Sequence, residues 1–138
     1  MRSKLSLHGR SCCVLAVDDE DTVLNMISRF LRRFGCEVLT CSSAAEALEC
    51  LEKRSFDVAL LDVRMPDMNG VELFFVIRQR WPDLAQRTGF VTGNIPSNEV
   101  EALLEQTGRP VLLKPFELDE IEAFVRELSG CTDGDGVP

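Results

Sequence analysis

This chain lacks the features that would send it to a membrane, a secretory route, a zinc site or nucleic acid. No apolar run approaches the ~20 residues that a membrane-spanning helix requires, and the basic start, Met1 to Ser11, has no apolar stretch before Cys12 to make it a signal peptide. With a single histidine, His8, and no Cys-x-x-Cys pair, the residues argue against a zinc site. Positive charge is scarce: 15 Lys and Arg stand against 23 Asp and Glu, a net charge of −8 that speaks against a general nucleic-acid-binding surface. The six cysteines do not read as a disulfide framework. Cys12 and Cys13 sit inside an apolar strand-like run, and Cys36, Cys41 and Cys50 read as small buried or half-buried residues. The expectation is a reduced, cytoplasmic protein with no membrane insertion. No low-complexity tract, internal repeat or second domain is visible in 138 residues, of which 45% are hydrophobic.

What is present is an alternation of strand and helix, five times over. Residues 12–17 form a continuous apolar run, the mark of a strand buried on both faces. Val23, Leu24, Ile27, Phe30, Leu31 and Phe34 then recur at helical spacing, and Gly35 supplies a stop. Residues 36–40 read as a second strand, and Ser43 to Glu46 as a capping box opening a helix with Ala44, Ala47, Leu48 and Leu51 on its apolar face. Residues 56–61 are the third strand, followed by a loop over 62–69 and a helix that Gly70 introduces and Trp81-Pro82 ends. The fourth strand covers about 88–92 and the fifth 110–113; each leads into a helix. Phe74, Phe75 and Trp81 read as packing residues. Such alternation requires right-handed crossovers and a parallel sheet. It predicts a flavodoxin-like, doubly wound five-stranded α/β fold of order 2-1-3-4-5, a (βα)5 unit. The expected boundaries are a flexible N-terminal arm over 1–11, the folded domain over 12–129 and a disordered tail over 130–138.

In such a sheet ligands bind beyond the carboxyl ends of the strands. Four strands end in Asp18-Asp19, Asp62, Thr92 and Lys114, so these side chains are expected to meet. Two unit charges at ~4 Å and an effective dielectric near 20 interact by on the order of 4 kcal/mol, so three clustered carboxylates call for a hard cation or a retained proton. Magnesium accepts oxygen ligands and keeps one or two carboxylates beside waters and phosphate oxygens. A lysine ammonium held at a strand end can pair with a carboxylate at rest and with a phosphoryl oxygen later.

At this point the chain resembles a known family, the receiver domains of two-component response regulators, over nearly its whole folded length. The motifs that carry the resemblance are Val-Asp-Asp-Glu at 17–20, Leu-Leu-Asp-Val-Arg-Met-Pro-Asp-Met-Asn-Gly at 60–70, Val-Thr-Gly at 91–93 and Leu-Lys-Pro-Phe at 113–116. The resemblance implies that Asp62 is the phosphoacceptor, taking a phosphoryl group from a sensor histidine kinase or a histidine phosphotransfer protein. It implies that Mg2+ is held by Asp18, Asp19, Asp62 and the backbone carbonyl of Arg64, and that Thr92 and Lys114 bind the phosphoryl oxygens. The downstream partner would be another protein, with no direct nucleic-acid contact. Such a domain catalyses only its own phosphorylation and dephosphorylation.

Four positions qualify that reading. Family members usually carry Tyr or Phe three residues before the last lysine; here the residue is Val111, which cannot swing as a ring does. Arg64 and Asn94 occupy variable positions beside the phosphoryl group and would tune its lifetime. His8 lies outside any amphipathic helix, so the donor histidine belongs to another protein. Two alternatives remain at this stage. One is a receiver module detached from a hybrid histidine kinase, since only ten residues follow Leu128. The other is a Mg2+-dependent haloacid-dehalogenase-like phosphatase, which would need an acid/base Asp where this chain has Arg64.

Overall fold

The computed structural model describes residues 6–7, 10–93 and 97–130. The expectations that rest on His8 and Asn94, and on the tail beyond Gly130, lie outside the described residues. The chain begins with a short antiparallel pair, β1 (Ser6–Leu7) and β2 (Arg10–Ser11). A five-stranded parallel sheet follows, built from β3 (Cys13–Val17), β4 (Glu37–Cys41), β5 (Val58–Leu61), β6 (Thr88–Thr92) and β7 (Val111–Leu113) in the order β4-β3-β5-β6-β7. Counted within this sheet alone, that is the expected 2-1-3-4-5.

Period-two alternation explains how β3 serves both faces. Val14 and Ala16 join the core against α1 (Asp21–Arg32) and α6 (Leu118–Ser129), with Leu24, Ile27, Leu31, Ile121 and Val125. Leu15 and Val17 point the other way, toward α2 (Ala44–Lys53) and α3 (Gly70–Arg80), meeting Ala47, Leu51, Val71 and Ile77. Phe74 is buried and packs against Phe75 and Phe90, with ring centroids 5.9 Å apart in each case. Gly89 lets α6 approach β6 closely, since a Cβ there would lie 2.6 Å from the Phe124 ring. β7 is the sheet edge, and its Val111 and Leu113 are exposed.

Four local features differ from the sequence expectations. An extra one-turn helix, α4 (Pro82–Ala85), follows α3, because Pro82 sits in the first helical turn where its missing N–H costs nothing. The expected capping box at Ser43 is half formed. Ser43 Oγ accepts the Glu46 N–H, but the Glu46 carboxylate turns instead to the Ser42 N–H (2.6 Å) and Ser42 Oγ (2.9 Å). A complete capping box joins Asn69 and Glu72 at the start of α3, at 2.8 and 3.0 Å. On the last helix, beside the buried Ile121 and Val125, Glu122 and Arg126 are buried together as an ion pair.

The segment expected as an arm over 1–11 has one tethered part. Arg10 grips the buried Asp57 with both terminal nitrogens, at 2.7 and 2.8 Å, and the Cys13 N–H donates to the same carboxylate at 2.8 Å. Burial pushes the Asp57 carboxyl up, but Arg10 and the Cys13 N–H outweigh it and hold it below the ordinary value. The clamp sits at the amino-terminal edge of the sheet, opposite the edge where the acidic strand ends gather.

Candidate functional site

The register of the sheet carries the functional side chains to one edge. Val17 pairs with Cys41 on one side and Leu61 on the other, so the residues that follow emerge together. The ladder then runs one step past the strands. The Asp18 N–H donates to the Cys41 carbonyl (3.1 Å), the Asp62 N–H to the Val17 carbonyl (2.9 Å) and the Lys114 N–H to the Thr92 carbonyl (3.0 Å). Each key residue is therefore pinned by a neighbouring strand while its side chain is free of the sheet. The loop after Asp62 is closed by the Gly70 N–H on the Val63 carbonyl, 3.0 Å.

Lys114 joins the parts. Its Nζ donates to Asp18 Oδ2 at 2.9 Å and to Glu20 Oε1 at 3.2 Å, and it lies 3.6 Å from Asp62 Oδ2. Asp18 Oδ1 accepts the Glu20 N–H at 2.9 Å, and Asp62 Oδ1 faces the Arg64 N–H at 3.4 Å. Asp18 and Asp62 are buried, with Asp19 and Glu20 exposed at the rim. Thr92 is buried and, with Asp19, Asp62, Arg64 and Lys114, lines an open cleft of about 740 Å3. All the expected site residues thus converge here; for Arg64 it is the chain near its amide that reaches Asp62. Glu20 is the addition. It sits at the N-cap position of α1 without a side-chain capping bond and belongs to the acidic cluster, and its place directly after Asp18-Asp19 was the only signal the sequence held.

The charges are unequally shared. Burial pushes the Asp18 carboxyl up to about 6, more than Lys114 and the Glu20 N–H can pull it down. Burial pulls the Lys114 ammonium down, yet Asp18, Asp62 and Glu20 together hold it above the ordinary lysine value. One cation divided among three carboxylates gains from all of them, whereas each carboxylate receives only part of it.

This sets a pH dependence. Asp18 titrates higher folded, near 6, than unfolded, near 3.8, so the folded chain binds the extra proton between those values. Without metal, stability therefore rises as pH falls from about 7 to about 5, by up to about 1 kcal/mol once screening by the open cleft is allowed for. Asp57, held low, gives the opposite trend only below about 4. Urea midpoints at pH 7 and 5 should show the gain in the parent protein and lose it in Asp18→Asn; equal slopes for the two proteins would contradict this assignment.

Ligand oxygens of Asp18, Asp19, Glu20 and Asp62 lie within 4.8 Å of one another. Opposite ligands of a magnesium octahedron are separated by roughly 4.2 Å, so this all-oxygen set fits a small hard cation. The buried Asp18 and Asp62, with a single lysine between them, carry the charge that such a cation would offset.

The pattern of the response regulator receiver domain matches residues 14–126. The chain belongs to that family. Its receiver domain is 30% identical to the Saccharomyces cerevisiae transcription factor SKN7 over 115 residues, 81% of this chain and 18% of that protein. It is 34% identical to the Escherichia coli DNA-binding transcriptional regulator NtrC over 112 residues, 81% of this chain and 24% of NtrC. Among solved structures, the Vibrio cholerae chemotaxis protein CheY4 is similar at a TM-score of 0.77 and 30% identity, covering 86% of this chain and 98% of that one. The chain thus spans under a quarter of both regulators but nearly all of the chemotaxis protein. The family is one of phosphoacceptor signalling domains in two-component systems, not of classical enzymes, and its members typically bind Mg2+ at an acidic pocket. Receiver domains interact with histidine kinases or phosphotransfer proteins. Neither the kinase-attached module nor the haloacid-dehalogenase-like phosphatase is favoured by these matches. No helix among the described residues is long and apolar enough to cross a membrane.

Proposed function

We propose that Asp62 accepts a phosphoryl group from a phosphohistidine of a sensor kinase or phosphotransfer protein, and that the receiver domain then engages a protein target. An Asp62 carboxylate oxygen attacks phosphorus, the P–N bond breaks with its electron pair passing to the donor imidazole, and an acyl phosphate forms on Asp62. Asp18, Asp19, Asp62 and the Arg64 carbonyl would hold Mg2+, which when bound supplies positive charge against the phosphoryl oxygens. Lys114 turns from Asp18 and Asp62 to the new phosphoryl group, and the Thr92 hydroxyl binds it from the end of β6. The observation that carries this reading is the Lys114 ammonium 3.6 Å from Asp62 and 2.9 Å from Asp18, a cation held beside the nucleophile before any phosphate arrives.

The switch is a local charge change that biases two arrangements of the loops after β6 and β7. The domain itself does not touch nucleic acid, a reading supported by the net charge of −8. The setting is cytoplasmic, with kinases that draw on ATP, and the described cysteines Cys12, Cys13, Cys36, Cys41 and Cys50 are free thiols. Arg64 and Asn94 set the acyl-phosphate lifetime by governing access of water.

The decisive experiment is incubation with acetyl phosphate. With Mg2+ the chain should gain the mass of one phosphoryl group, and a chelator should abolish the gain; equal uptake with and without the metal would refute the metal-assisted reading. Because Val111 replaces the usual ring, spectral changes on binding a beryllofluoride phosphoryl mimic should centre on Thr92 and Lys114. NMR shifts centred instead on Val111 would contradict the view that no aromatic switch operates here.

A further inference from the structure

Behind the acidic edge, two thiols stand in contact. The Cys41 sulfur, on the last residue of β4, lies 3.5 Å from the Cys50 sulfur on α2. Cys41 is buried and Cys50 half-buried, so solvent reaches one member while the other is held directly behind it. The remaining described cysteines are placed differently. Cys12 and Cys36, free thiols joined by a hydrogen bond, are 0% and 6% exposed, shut away from any dissolved oxidant. Cys13 is buried, with its sulfur 3.1 Å from the Arg54 guanidinium.

We propose that Cys41 and Cys50 are a modification site, a dithiol that hydrogen peroxide closes reversibly into an intramolecular disulfide. The Cys50 sulfur attacks one peroxide oxygen and the O–O bond breaks. The other oxygen leaves with the bonding pair, takes the thiol proton and departs as water, leaving Cys50 a sulfenic acid. The Cys41 sulfur then attacks the Cys50 sulfur, the S–O bond breaks, and the hydroxyl leaves with the Cys41 proton as a second water. The two thiols together give up two electrons and the peroxide accepts two. Exposure sets the order. Burial pushes the Cys41 thiol up to about 12, so it serves as the resolving partner at contact distance rather than as the first nucleophile.

Closing the bond brings the sulfurs about 1.5 Å closer, to a disulfide length near 2.05 Å. The movement falls on the end of β4 and the Ser42-Ser43 turn into α2. It is the carbonyl of Cys41 that accepts the Asp18 N–H at 3.1 Å, so the strand end that must yield also positions a carboxylate of the acidic pocket. The thiol chemistry stands apart from the phosphoacceptor reading and survives its failure.

The test uses the reduced full chain, a few equivalents of hydrogen peroxide, quenching with an alkylating reagent and mass spectrometry without reduction. Cleavage after Lys and Arg leaves Cys36, Cys41 and Cys50 in one fragment, so a second cleavage after Glu37, Glu46 and Glu49 is needed to separate them. The expected product has lost two hydrogens, links the Cys41 and Cys50 fragments, and reverts with dithiothreitol. Cys50→Ser, at the half-buried position, should reduce the linked product to background. Cys41→Ala should leave a Cys50 sulfenic acid that dimedone traps. A Cys12–Cys36 link, a link between two chains, or oxidation of Cys50 to sulfinic and sulfonic acids without any link would overturn the proposal.

Discussion

Asp62→Asn takes up no phosphoryl group from acetyl phosphate and Mg2+, while the parent chain takes up one. The variant keeps the shape of the side chain and the carbonyl oxygen that faces the Arg64 N–H at 3.4 Å, but a carboxamide offers no anionic oxygen to attack phosphorus. Nothing structural should fail with it. Asp62 is placed by its own N–H on the Val17 carbonyl, a bond the substitution leaves intact. Removing one of the clustered carboxylates also relieves repulsion worth on the order of a few kcal/mol per close pair before screening. The variant should therefore unfold at equal or higher urea concentration than the parent. Intact-mass analysis reads the first effect and a denaturation curve the second. Phosphoryl uptake persisting on Asp62→Asn, on Asp18 or Asp19 for instance, would remove Asp62 from its role.

Gly70→Ala disturbs the same residue from behind. A Cβ at position 70 would lie 2.1 Å from the Asp62 carbonyl oxygen, 2.8 Å from its carbon and 3.1 Å from the Val63 Cα. All three neighbours are backbone, so no side chain can rotate away and either α3 or the end of β5 must shift. Overpacking of this kind typically costs about 1–3 kcal/mol, and backbone displacement belongs at the upper end of that range. The shift also carries the Asp62 carboxylate away from Asp18 and Lys114, so Mg2+ binding followed by calorimetry should weaken in step. Gly93→Ala is the control for stability, because its Cβ would meet Lys114 Cβ at 3.6 Å, an ordinary contact. If Gly70→Ala were as stable as the parent and bound Mg2+ equally well, the close approach of α3 to the Asp62 backbone would have no structural consequence.

The amino-acid sequence by itself determined the architecture and the main members of the site. Apolar runs such as 12–17 report strands buried on both faces, and 3.6-residue spacing as in Val23, Ile27 and Leu31 reports the helices between them. Once strands and helices alternate, handedness and burial leave few sheet orders, and residues that end parallel strands must share an edge. That is why Asp18, Asp62, Thr92 and Lys114 could be grouped before any distance was known. Tertiary structure alone decided the pairings that periodicity does not encode. Arg10 and Asp57 are 47 residues apart, and their clamp exists because β2 ends beside the start of β5. Glu20 enters the acidic cluster because packing brings the Lys114 ammonium, 94 residues away in sequence, within reach. The contact between Cys41 and Cys50 depends on how α2 lies against the end of β4. Hydrophobic pattern records which face of an element is buried, whereas the partner of a polar side chain is chosen by distances that arise only when the elements pack.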